Sequence, residues 1–288
     1  MSYRFVRFLS YVTILVLSSV AFNHAQTQAS CTFKVFKPAV SSGVNDYGTT
    51  VGGLNGKAAI RYANGGITYF MPSGAVDANF TARNNSSVTV GSYIDTLDNV
   101  YSFMLKGTTV TPIRDPKSLS PSTTWVSGIN KWNSIVGNYA DPKYPPYHYH
   151  GFKRYSDGRY VDLDYPFVKV PNVTQYTYPA AINDNGVVVG SYSRGGTTEH
   201  GFIYHNGQWA TLDVPNSATT TPAGITNGGA IAISTDKMGS FLYVNGKFKT
   251  IKVPNSTSTH VNGMSAAGLI TGYTTIGAVA YGFVGLCH

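Results

Sequence analysis

Acidic side chains are scarce in this chain: of 288 residues only 13 are Asp or Glu, and Glu199 is the single glutamate. A glycosidase needs two carboxylates flanking the scissile bond. No such pair stands out, because the aspartates fall mostly at turns (Asp46, Asp157, Asp184) or in a recurring strand (Asp164, Asp213). Cysteine is equally sparse, and the two present form no Cys/His cluster with zinc spacing. A Gly-x-Ser-x-Gly elbow and a phosphate-binding glycine loop are both missing. Asn183 to Gly186 resembles the start of a calcium loop but lacks the downstream acidic ligand, so it reads as a turn. No metal and no cofactor are expected. Long runs of Ala, Leu, Glu and Lys are absent too, which argues against an α-rich fold.

Tyrosine (21) and glycine (31) are abundant, as strands separated by tight turns require. The N-terminus reads as an export signal: Arg4 and Arg7, an apolar stretch from Val12 to Phe22, then small residues at Ala25 and Ala29. The apolar run is too short to span a membrane comfortably. Residues 1–29 are therefore assigned to the signal, with cleavage after Ala25 or Ala29, and 30–288 to one secreted domain, extracellular or periplasmic. Of the 21 Lys and Arg, 19 remain once Arg4 and Arg7 are removed, six more than the acids. A basic surface favours anionic partners.

A repeat organises the rest. Its clearest copy runs Ala181-Ile-Asn-Asp-Asn-Gly-Val-Val-Val-Gly-Ser-Tyr192, then His200-Gly-Phe202, then Trp209 to Pro215. Copies start at 43, 82, 128, 181, 224 and 263, with spacings of 39, 46, 53, 43 and 39 residues. Each supplies four strands: A before the Asn turn, B at Val-Gly-Ser-Tyr, C at His-Gly-Phe, and D ending in Val-Pro. Asn-Gly between apolar runs marks a hairpin, because its turn needs positive φ at both central residues. Four-stranded units of this length are the signature of propeller blades. The expected fold is all-β, a six-bladed β-propeller. The sixth copy lacks strand D, and Cys31 to Pro38 has its pattern, so the N-terminal strand is expected to complete the last blade. In register with the copy at 181, Cys287 takes the place of Asn206 and Cys31 that of Gln208. A Cys31–Cys287 disulfide is expected there, in an exported context that permits it.

These residues resemble the extracellular HAF-repeat family, named for its His-Ala-Phe strand, which is His-Gly-Phe here at His150 to Phe152 and His200 to Phe202. The resemblance covers residues 31–288, strongest in units three to five. It implies exported propeller-type repeats and no shared activity, so no catalytic residue is carried over.

Strand order places any site. In such a fold the B–C and D–A loops open on one face, and the tight A–B and C–D turns on the other, with little room for chemistry. The third unit is longest, and both additions lie on the first face. They gather Trp125, Tyr144, Tyr147, His148, Tyr149, Tyr176 and Tyr178, with Lys143 and Arg194 nearby. Aromatic rings with polar tips suit sugar stacking. The reading is a monomer that binds an extracellular polysaccharide or other anionic ligand, and not nucleic acid. One alternative is a lyase acting on an acidic glycan by β-elimination, with His150, His200, Tyr147 and Tyr192 as acid–base groups. Another is a structural or adhesive protein. Against the lyase, a histidine repeated at equivalent places more often serves the repeat.

Overall fold

The structure is a computed structural model that describes residues 27–118, 120, 123–141, 148–166 and 173–287. Among these, twenty-four strands and no α-helix are found. Two sheets have four strands. Two larger sheets each consist of two antiparallel four-stranded runs that meet at one parallel contact, Tyr149 beside Tyr176 and Gly224 beside Met264. The unit at 181 shows the pattern: Tyr176–Ile182 (A), Val188–Ser193 (B), His200–His205 (C) and Gln208–Leu212 (D). The hairpin turns form as the dipeptides require. Asn206 and Gly207 have φ of 48° and 83°, and Asn245 and Gly246 have 51° and 76°.

Packing explains the Val-Gly and Gly-Phe signatures. A Cβ on Gly190 of strand B would lie 2.1 Å from the Tyr178 carbonyl of strand A and 2.9 Å from the Phe202 ring of strand C. Gly91, Gly137 and Gly272 meet the carbonyls of Asn79, Trp125 and His260 in the same way. Strand A thus rests directly on strand B. The phenylalanines opposite those glycines (Phe103, Phe152, Phe202, Phe283) have no exposed surface and fill the layers between neighbouring units.

The first described strand, Cys31–Phe36, pairs antiparallel with the last, Val279–Cys287. Cys31 and Cys287 are direct partners and are disulfide-bonded. The sequence register was off by one: Phe283 matches Phe202, so Cys287 takes the place of Asn206 and Cys31 that of Gly207. The disulfide therefore stands where the two turn residues would. Thr27, Gln28 and Ala29, counted above with the export signal, join the outer strand of the unit at 224. Ala29 N–H donates to Thr250 O (2.9 Å), Thr250 N–H donates to Thr27 O (3.1 Å), and Ala29 is 4% exposed. A cut after Ala25 preserves these contacts. Residues 1–26 themselves lie outside the described residues.

A belt of hydrogen bonds, most of them from side chains, links the A–B turns from unit to unit. Asn84 Nδ2 donates to Asn130 O, Asn130 Nδ2 to Asn183 O, and Asn183 Nδ2 to Thr226 O, at 2.9–3.1 Å. Asn227 N–H continues to Ala266 O (3.0 Å), Ala267 N–H to Asp46 Oδ1 (2.8 Å), and Asn85 Nδ2 to Asp46 Oδ2 (2.6 Å). The links run through all six turns and return to the first. Asn183 is buried and also accepts from Asn185 and Val187 N–H. Asn183→Ala removes three bonds, leaving the buried Thr226 carbonyl and two part-buried N–H donors without their partner, at a cost of about 2–3 kcal/mol. Asn185→Ala, which loses one exposed bond, costs under about 0.5 kcal/mol. Urea denaturation of both variants measures the difference.

Candidate functional site

Strand A carries a register shift in five units, between Phe80 and Ala82, Val126 and Gly128, Pro179 and Ala181, Pro222 and Gly224, and Val261 and Gly263. A bulge adds one unpaired residue and re-aims its side chain. The extra residues, Thr81, Ser127, Ala180, Ala223 and Asn262, line a central channel together with Ser42. All six line both a cavity of about 100 Å³ at the A–B turn end and one of about 600 Å³ at the opposite end. The wider mouth is walled by Asn79, Thr219, Thr221, Asp236, and His260 stacked on Tyr273 with ring centroids 4.7 Å apart. Its described lining contains no lysine or arginine. Sequence reasoning did not find this lining, since a bulge residue has no compositional mark.

The aromatic residues expected from the third unit collect beside this mouth. Trp125 lies 6.1 Å from Tyr149, Tyr149 packs its edge on Tyr178 (5.5 Å), and Tyr178 stacks on Tyr176 (4.3 Å). Trp125 immediately precedes the lining residue Val126, and Tyr178 stands two before Ala180, so the cluster adjoins the opening. All four rings are half-buried. Burial raises the Tyr176 and Tyr178 phenols above their ordinary value, so they act here as neutral rings with hydrogen-bonding tips. His148 is half-buried at the start of its strand. Lys143, Tyr144 and Tyr147 lie outside the described residues.

The other expected groups fall elsewhere. Arg194 is exposed, 5.9 Å above both the Tyr165 and Tyr192 rings. These two tyrosines stack at 3.6 Å, and each hydroxyl is 3.0 Å from Thr211 Oγ1. Tyr192 is 2% exposed, and burial pushes its phenol up to about 12. Burial alone would raise Tyr165 as well. Hydrogen bonds with Thr211, Tyr192 and Arg194 outweigh that and lower it. Tyr165 was not singled out because its partners are distant in sequence.

His150 and His200 play one local role twice. Each Nδ1 contacts a strand D aspartate, Asp164 at 2.7 Å and Asp213 at 2.8 Å, whose other oxygen accepts the following glycine N–H at 3.3 Å. Each imidazole stacks at 5.2 Å on a strand B tyrosine, Tyr139 or Tyr192. The pair ties the start of strand C to the end of strand D. Glu199, beside His200, accepts instead from Ser191 Oγ.

Near the first of these pairs, Asp115 is 1% exposed, and burial raises its carboxyl pKa. Its charged form is disfavoured in the folded state. Asp115→Asn, which keeps the acceptor for Lys117 N–H, is therefore expected to raise Tm by a few degrees at pH 7. That gain disappears as pH falls through the raised pKa, and thermal melts at pH 7 and pH 4 check it.

No protein-family model matches the chain, and no curated protein matches it in sequence. Among solved structures it is similar to a gluconolactonase from Xanthomonas campestris, at 11% identity and a TM-score of 0.50, over 91% of this chain and 88% of that one. It is similar to a mutant of AofleA from Arthrobotrys oligospora at 9% identity and a TM-score of 0.52, over 90% and 88%. It is also similar to the β-propeller domain of the Trilobed protease from Pyrococcus furiosus, at 11% identity and a TM-score of 0.47, over 90% and 94%. The likeness is to β-propellers and shows the fold alone.

Proposed function

We propose that this chain is a secreted six-bladed β-propeller that binds an extracellular polysaccharide at the wide mouth of its central channel. Four antiparallel strands in each repeat, an outer N-terminal strand on the last one and a belt of turns that closes on itself support six blades. Assignment to the HAF-repeat family belongs to the same reading. One observation carries the function: Trp125, Tyr149, Tyr178 and Tyr176 form a continuous ring cluster beside a concavity walled by Asn, Thr and Asp side chains. Pyranose rings offer apolar C–H faces to aromatic rings and hydroxyls to such polar groups. The mouth holds Asp236 and no described cation, which fits hydroxyl recognition there better than recognition of charge.

The test is a glycan array followed by retention on immobilised polysaccharides. Retention that free oligosaccharide competes away supports the reading, and no retention on any glycan sinks it. A lyase acting on acidic glycans is the second reading, favoured by the lowered Tyr165 phenol beside Arg194. It requires a rise in ultraviolet absorbance from unsaturated uronate when the protein meets alginate, pectin or glycosaminoglycan.

A further inference from the structure

The end of the molecule away from the mouth was expected to be closed by tight turns. Units one and three depart from this with longer C–D connections, 62–66 and 155–159; in unit one Tyr62 N–H donates to Gly66 O across the connection (2.9 Å). Beside this connection, between units one and two, lies a cavity of about 300 Å³ lined by Tyr62, Tyr69, Phe70, Arg83, Ser87 and Leu105, among others.

Arg83 gives the cavity its chemistry. Its Nη1 donates to Ser87 O (3.1 Å) and Thr89 Oγ1 (2.6 Å), while its Nε is buried without a partner. No described carboxylate forms an ion pair with it. Burial lowers its pKa, as expected for a cation short of a counter-charge. The surroundings add positive charge. Arg61, 7% exposed, sits 3.8 Å over the Phe36 ring, and Lys34 Nζ reaches Ala63 O (3.3 Å). Residues 47–94 contain one acid, Asp77. It lies 3.5 Å from the Cβ position of Gly56, in the B–C turn at the other end.

We propose that this cleft is a second binding site, for a carboxylated sugar residue, with Arg83 receiving the carboxylate and Tyr62, Tyr69 and Phe70 packing on the ring. The guanidinium fork matches a carboxylate in shape and charge. Three aromatic walls suit a pyranose face, and the cavity lies at the small end of the range for ligand pockets, about 300–1,000 Å³. The site stands apart from the mouth and does not depend on it. It also gives the protein's excess of positive charge a specific use.

Calorimetric titration of the intact protein with trigalacturonate tests it, with the fully methyl-esterified trisaccharide as a probe of the same rings without charge. The acid form is expected to bind at least tenfold tighter than the ester. Arg83→Gln is expected to weaken it tenfold or more. Tyr69→Ala, at a half-exposed position, is expected to weaken it severalfold with Tm unchanged. Trp125→Ala at the mouth is expected to leave it intact. Equal binding of acid and ester overturns the proposal. So does parent-like affinity in Tyr69→Ala, or loss of trigalacturonate binding in Trp125→Ala. Tighter binding of a sulfated trisaccharide overturns the assignment to a carboxylate.

Discussion

Replacing Cys31 and Cys287 together by serine is expected to lower Tm by roughly 10–20 °C. The bond joins residues 256 apart, and closing so large a loop in the unfolded chain corresponds to about 5 kcal/mol in the chain-entropy treatment. At about 2–4 °C per kcal/mol for a domain of this size, the range follows. The loss is also local. In the unit at 181, a two-residue turn holds strand D beside strand C, whereas Cys31–Phe36 reaches Val279–Cys287 from the opposite end of the chain. Without the disulfide, that strand is held by its ladder and by the packing of Phe33 on Phe283, 5.6 Å apart. Calorimetry of the oxidised parent, the reduced parent and the double variant measures it. A fall below about 3 °C would show that the ladder alone closes the ring.

The second large effect is on binding. Trp125→Ala combined with Tyr178→Ala is expected to weaken the best glycan from the array by about 100-fold or more, or about 2.7 kcal/mol. Stacking contacts concentrate binding energy in a few aromatic residues, and this pair removes two members of the cluster from adjacent A strands. Their backbone positions are set by the strand B glycines rather than by the rings, since a Cβ on Gly137 or Gly190 would strike the Trp125 or Tyr178 carbonyl. The fold is therefore expected to survive. Trp132→Ala is the control: this exposed tryptophan lies in an A–B turn, at the far end of the channel. Equal weakening in the control would mean that the wrong face had been chosen.

Much of the architecture was legible because most repeats state their own packing rule. Val-Gly places a glycine where strand A crosses, Gly-Phe places a ring between units, and the leading Asn ties its turn to the next. The cysteine pair was legible for the same reason, with an error of one residue, because aligning repeats by pattern does not fix where a hairpin ends. The channel mouth was not legible. Its lining comes from strand bulges, and Thr81, Ser127, Ala180, Ala223 and Asn262 share no residue type that a sequence pattern would mark. The Tyr165–Tyr192 stack and the Arg83 cleft escaped for a related reason, since each joins residues brought together only by neighbouring units. Trp125, Tyr149, Tyr176 and Tyr178, singled out from the loops of the third unit, pack as one ring cluster. Arg194 was placed with it and instead lies over Tyr165 and Tyr192.

The most direct measurement uses the three tryptophans, Trp125, Trp132 and Trp209. Phenylalanine replacements give one protein that keeps only Trp125 and another that keeps only Trp132, and each is titrated with the glycan that the parent retains. A saturable change in Trp125 emission, with the parent's affinity and no response from Trp132, places the sugar against the mouth cluster. A silent Trp125 under conditions where the glycan is bound, or a response from Trp132 alone, would place it elsewhere and contradict the assigned site.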